Sequence, residues 1–166
     1  ICLMNFQLST LPSLLKVSLS IFIFALAFGY FSSFDLLKQT TDLNSKGVEE
    51  NVLGNEMNEE AKELRFKMSE RELHGIIHSH VITLSVIFIF LQIMLYFSSA
   101  TLFLKTFLMI EPILSIITTF GGLWLLWLGH TWVKYLIMIS GTLMHLSLAL
   151  ILIILLYDLL IKKAKN

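Results

Sequence analysis

Charge is what this sequence has least of. Only 14% of its 166 residues are charged, against roughly 25% in an ordinary soluble domain. The 12 basic and 12 acidic side chains cancel. That leaves no basic footprint for nucleic acid, and no nucleic-acid partner is expected. There is one cysteine, Cys2. A lone thiol makes no internal disulfide, and it has no CxxC or CxxCH context for redox, metal or covalent haem chemistry. No HExxH or EF-hand pattern occurs. There is no phosphate-binding glycine loop and no carboxylate pair spaced for general acid–base work, so the chain is expected not to be an enzyme. The in–out alternation of a membrane β-barrel is also missing.

Hydrophobic residues take up 56% of the chain, and its mean hydropathy is +0.80. The length suits one domain. Four stretches reach the roughly 20 apolar residues that crossing hydrocarbon requires: about 11–34, 76–97, 106–128 and 131–161. Helices satisfy every backbone polar group within the segment, as lipid demands. The expected fold is all-α: an integral membrane four-helix bundle, with residues 1–166 forming a single membrane domain in a lipid bilayer. Ala25-Leu26-Ala27 follows an apolar core in the manner of a signal-peptidase site. The leader before that core is long and carries a single base, Lys16, so an uncleaved helix is expected. The opening Ile1-Cys2-Leu3-Met4 fits a fragment or a start at Met4.

A polar segment, about Asp35 to Leu73, separates the first two spans. It holds ten acidic residues against six bases. Its first half carries the turn residues Asn44, Gly47, Asn51 and Gly54 and reads as loop. Its second half reads as helix. Asn55 is placed to cap it, and Glu56, Glu59 and Glu60 suit a positive helix N-terminus. Met57, Ala61, Leu64 and Met68 recur at three- and four-residue steps, and Glu63 and Lys67 have i,i+4 spacing. The second span is therefore expected to continue outside the membrane as an amphipathic helical extension from Asn55 to Leu73.

Basic residues orient the bundle. Lys162, Lys163 and Lys165 crowd the C-terminal tail, and Lys105 lies between the second and third spans. Four spans put both termini on one side. The expected location is the cell inner membrane, multi-pass, with both termini cytoplasmic and the acidic segment extracytoplasmic. Ser115, Thr118, Thr119 and Gly122 in the third span, and Ser140, Gly141, Ser147 and Ala149 in the fourth, allow helix backbones to approach closely.

Five histidines carry the strongest chemical signal. His74, His78 and His80 cluster where the second span begins, and His130 lies between the third and fourth. All four fall at the outer face, a candidate metal or haem site, since neutral imidazole binds zinc, copper and iron. Haem b or a transition metal is the cofactor class this implies. Interfacial histidines also occur simply solvated or bonded to loop carbonyls. His74 and His78 stand one helical turn apart, whereas His78 and His80 point to nearly opposite faces. His145 is deep in the fourth span, where an ionisable residue is a functional candidate by default; a bond to a serine, a threonine or Gln92 is its structural alternative. Glu111, beside Pro112 at the opening of the third span, and Asp158, near the inner end of the fourth, complete the buried polar candidates. With Lys105 they make an inner polar cluster, or else ordinary interfacial charges.

From His74 to Leu160 the chain resembles an uncharacterised bacterial family of four-helix inner-membrane proteins. The resemblance rests on His78-Ser79-His80, on Phe107 to Pro112, on Thr119 to Trp127 and on Ile139 to Leu150. Some relatives carry a cytochrome c-like insert between helices one and two, which implies an outward-facing first loop and a setting near respiratory electron transfer. This chain has no CxxCH in that loop, so no covalent haem attaches there. Three functional classes follow: a redox-associated or metal/haem-binding accessory component with a respiratory or other membrane-protein partner, a transporter or channel subunit lined by His145, Glu111 and Asp158, or a structural assembly protein.

Overall fold

The computed structural model describes residues 7–56 and 63–162. Among these the secondary structure is entirely helical. A short 3-10 turn, Leu8–Thr10, precedes α1 (Ser13–Thr41), α2 (Ser45–Leu53), α3 (Glu70–Tyr96), α4 (Leu102–Trp127) and α5 (Val133–Leu156). A π-helical turn, Tyr157–Ile161, continues α5. Four of these helices, α1, α3, α4 and α5 with its π turn, are long and apolar enough to cross a membrane.

The helix ends follow from local chemistry. Ser69 and Glu72 form a capping box that starts α3: the Ser69 hydroxyl accepts from the Glu72 N–H, and the Glu72 carboxylate accepts from the Ser69 N–H at 2.9 Å. Two orphan N–H groups are satisfied in this way. Thr101 caps α4. α1 runs on to Thr41 and stops where Asp42 takes a left-handed conformation. Asn44 then caps α2 through the Gly47 N–H at 2.8 Å.

Two expectations for the polar segment are corrected. Its first half is mostly helix, the end of α1 and all of α2, rather than loop. Residues 63–69 are irregular and run back along α2, so the amphipathic extension expected from Asn55 is absent there; residues 57–62 lie outside the described residues. The cause is the turn after α2. Gly54 has a φ of +81°, and a Cβ there would sit 2.6 Å from the Lys67 backbone nitrogen. Only glycine suits both conditions. Asn55 is buried. Its side chain accepts from the Arg65 N–H at 2.7 Å and donates to the Glu63 carbonyl at 2.9 Å. Glu63 pairs with Arg65 rather than Lys67.

α4 and α5 form the tightest unit. Leu108, Pro112, Ser115, Thr119, Gly122 and Leu126 are buried along one face of α4. Val133, Ile137, Ser140, Met144, Ser147 and Ile151 answer them on α5. Alternating steps of three and four make a coiled-coil-like seam. Thr119 and Ser140 share a hydrogen bond of 2.7 Å across it, and Gly122 packs against Ile137. Lipid tails are as apolar as leucine, so such close contacts, not water exclusion, hold the hairpin together.

The polar segment forms a lid over the end of this hairpin where α4 turns into α5. Val48 and Val52 of α2 pack on Leu126, Val133 and Ile137. The Lys134 ammonium meets the Glu49 carboxylate at 2.6 Å. The Trp127 indole N–H donates to the Met68 carbonyl at 2.8 Å, and the Lys67 ammonium lies 4.6 Å from the Trp127 ring centre. At the opposite end of the bundle, the Leu8 N–H reaches the Phe97 carbonyl at 3.1 Å.

Candidate functional site

The four histidines expected at the outer face do not converge into a metal centre among the described residues. Each residue turns a helix by about 100°, so His78 sits about 40° round α3 from His74 and His80 about 200° from His78. His74 lies 3.5 Å from the Glu70 carboxylate and edge-on to Trp124, with ring centres 4.5 Å apart. His80 donates from Nδ1 to the Ile76 carbonyl at 2.9 Å and stands 5.4 Å from the Phe120 ring. His78 and His130 are exposed, His130 in the loop after α4. Among the described residues no three His, Cys, Asp or Glu side chains are placed to hold a metal ion. The expected quartet His74, His78, His80 and His130 shares an end of the bundle but not a centre. A metal centre drawing three or more ligands from that set has no geometric support among the described residues.

The expected inner cluster is also dispersed. Asp158 is buried at 1% exposure. Its two oxygens accept from the Ser99 N–H and, at 2.5 Å, the Ser99 hydroxyl. It therefore clamps the α3–α4 loop onto the π turn. Lys105 turns away and donates to the Tyr96 carbonyl at 2.8 Å. Glu111 does not open its span. It lies nine residues into α4, about 14 Å along the axis. Pro112 is likewise inside the helix, where its missing N–H leaves the Leu108 carbonyl without an i−4 donor.

His145 makes none of the expected bonds to serine, threonine or Gln92. Its Nδ1 lies 2.7 Å from the Gly141 carbonyl, and its ring centre is 5.8 Å from that of Tyr30. A carbonyl only accepts, so Nδ1 carries the proton and Nε2 is the open nitrogen. The Gln92 amide nitrogen is buried without a partner among the described residues.

The strongest chemical arrangement is at Glu111. One carboxylate oxygen accepts from the Ser115 hydroxyl, one turn along α4, at 2.5 Å. The other accepts from the Ser147 hydroxyl, across the seam on α5. Both serines are buried, and Glu111 is half-buried. Glu111 lies on a lipid-facing groove between α4 and α5 of about 580 Å³, walled by Phe107, Ile110, Leu114, Leu136, Ile139 and Leu143. Among the described residues Glu111 has no ion pair. The lysines of the two helices are engaged elsewhere, Lys105 with Tyr96 and Lys134 with Glu49. Ser115 and Ser147 were legible in the sequence as small packing residues, not as partners of a carboxylate. The i,i+4 spacing of Glu111 and Ser115 was a usable signal; Ser147 gave none.

A family model described as a transmembrane helical domain, Aq_1264_TM, matches residues 42–166. The matched stretch runs from the end of α1 onward and includes Glu111 and both serines. No curated protein and no solved structure matches the chain.

Proposed function

The chain belongs to a family of transmembrane helical domains, and from that premise we propose that it is an ion-coupled membrane component, of the transporter or channel-subunit class. Glu111 takes up and releases a proton or small monovalent cation within the bilayer. The carrying observation is a carboxylate with hydroxyl donors from two helices and no cationic partner among the described residues, on a groove open to lipid. Magnitudes agree. A charged side chain in mid-membrane costs about 2.5–3.5 kcal/mol on insertion scales. Each hydrogen bond to a charged group returns roughly 1.5–3 kcal/mol. Two such bonds together return about 3–6 kcal/mol, enough to offset that cost, so the charge is tolerated without a fixed counter-ion.

The inner membrane is the proposed location, with both termini cytoplasmic, on the strength of the basic tail and Lys105. The chain is proposed to act as a non-enzymatic subunit beside a membrane-protein partner. A hydrophobic carbodiimide, which adds to carboxylic acids in apolar surroundings, tests the reading in proteoliposomes. Mass spectrometry is expected to place the adduct on Glu111, to lose it in Glu111→Gln, and to show slower labelling as pH or sodium rises. Glu111 left unlabelled across the pH range in sodium-free buffer would refute the reading.

A further inference from the structure

We propose that a second copy of this chain completes the Glu111 site by seating its His145 against the carboxyl. This rests on the reading of Glu111 as an exchangeable group and names the partner of that site.

Depth is the first observation. Glu111 bonds to Ser147, and His145 lies two residues before Ser147 on the same helix. The two groups therefore differ in level by about 3 Å. Direction is the second. Two residues turn the helix by about 200°, so His145 faces away from the Glu111 seam. It stands half-buried beside Tyr30 of α1. One copy thus shows an acid on one flank and an imidazole on another, at nearly the same depth. Two copies inserted in the same orientation bring them together by rotation about the membrane normal. Such a head-to-tail contact uses two different surfaces and closes into a ring when the rotation divides the circle.

Chemistry favours the pairing. The His145 Nδ1 is committed to the Gly141 carbonyl, so only Nε2 can meet a partner. A neutral imidazole and a carboxylate carry one negative charge together. One added proton, shared between Nε2 and a carboxyl oxygen, makes the pair neutral. Hydrocarbon favours that state, and ionisable groups there characteristically pair with one another.

The test counts subunits by single-molecule photobleaching of fluorescently tagged full chain in liposomes over a range of protein-to-lipid ratios. The wild type is expected to associate. Glu111→Gln and His145→Leu should each dissociate roughly tenfold more readily. The exchanged pair Glu111→His with His145→Glu should recover association. His145→Gln, a gentler change, guards against misfolding, and helicity by circular dichroism checks every variant. A monomeric wild type at all ratios would overturn the proposal and indicate that lipid fills the groove. Association indifferent to both single variants would also overturn it. Carbodiimide labelling separates the two ideas. Glu111 that labels in a strictly monomeric protein sinks this inference alone, and a Glu111 that never labels sinks the reading on which it rests.

Discussion

Two adjacent glycines offer a matched experiment on how the hairpin is held. A Cβ built on Gly122 would sit 2.8 Å from the Ile137 Cγ1 and 3.2 Å from the Val133 Cγ1. A Cβ on Gly121 meets nothing within 4 Å. Alanine at either position gains the same helix propensity, about 1 kcal/mol over glycine. That gain cancels when the two variants are compared. What remains is the cost of forcing a methyl into the seam, about 1–3 kcal/mol for overpacking a tight interior. Gly122→Ala should therefore be less stable than Gly121→Ala by about 1–3 kcal/mol. Unfolding in mixed micelles by denaturing detergent, followed by helical circular dichroism, measures the difference. Removing the clashing Cγ1 in Gly122→Ala/Ile137→Ala should cost less than the sum of the two single substitutions. Equal stability of the two alanine variants, or the reverse order, would refute the claim that close approach at Gly122 holds α4 to α5.

Three further outcomes are expected. Ser147→Ala removes one donor from Glu111 and should cost about 1.5–3 kcal/mol, with a changed carbodiimide rate at Glu111; unchanged stability and labelling would show that the cross-seam bond is idle. Trp127→Phe keeps the ring but deletes the indole N–H that serves the Met68 carbonyl. It should weaken the lid by about 0.5–1.5 kcal/mol, seen as faster hydrogen exchange in residues 63–69 with α4 unaffected. Asp158→Asn leaves one acceptor oxygen where two are used. Limited proteolysis should then cut the loop between α3 and α4 sooner, at a stability cost of about 1–3 kcal/mol.

The errors of sequence reading have physical causes. A third span that begins after Lys105 puts Glu111 at a membrane edge. In the structure Thr101 caps α4, and Lys105 is a helical residue whose ammonium reaches the Tyr96 carbonyl. That shift moves Glu111 inward. The amphipathic stripe from Met57 to Met68 satisfied a helical period, but a period records only that a helix is permitted. The turn at Gly54 and the bonds of Asn55 hold residues 63–69 against α2 instead. The box Ser69-Glu70-Arg71-Glu72 was open to view in the sequence and marks the true start of α3.

The sequence by itself determined that four apolar helices cross a bilayer, because hydrocarbon thickness and backbone hydrogen bonding leave almost no other solution. Its small residues in α4 and α5 also marked places where helix backbones can approach closely, while the pairing of these two helices came from the structure. The tertiary structure alone decided which polar groups meet. Rotation of a helix about its axis is invisible in a hydropathy profile, yet rotation separates His78 from His80 and turns Ser147, 36 residues from Glu111, onto the carboxylate.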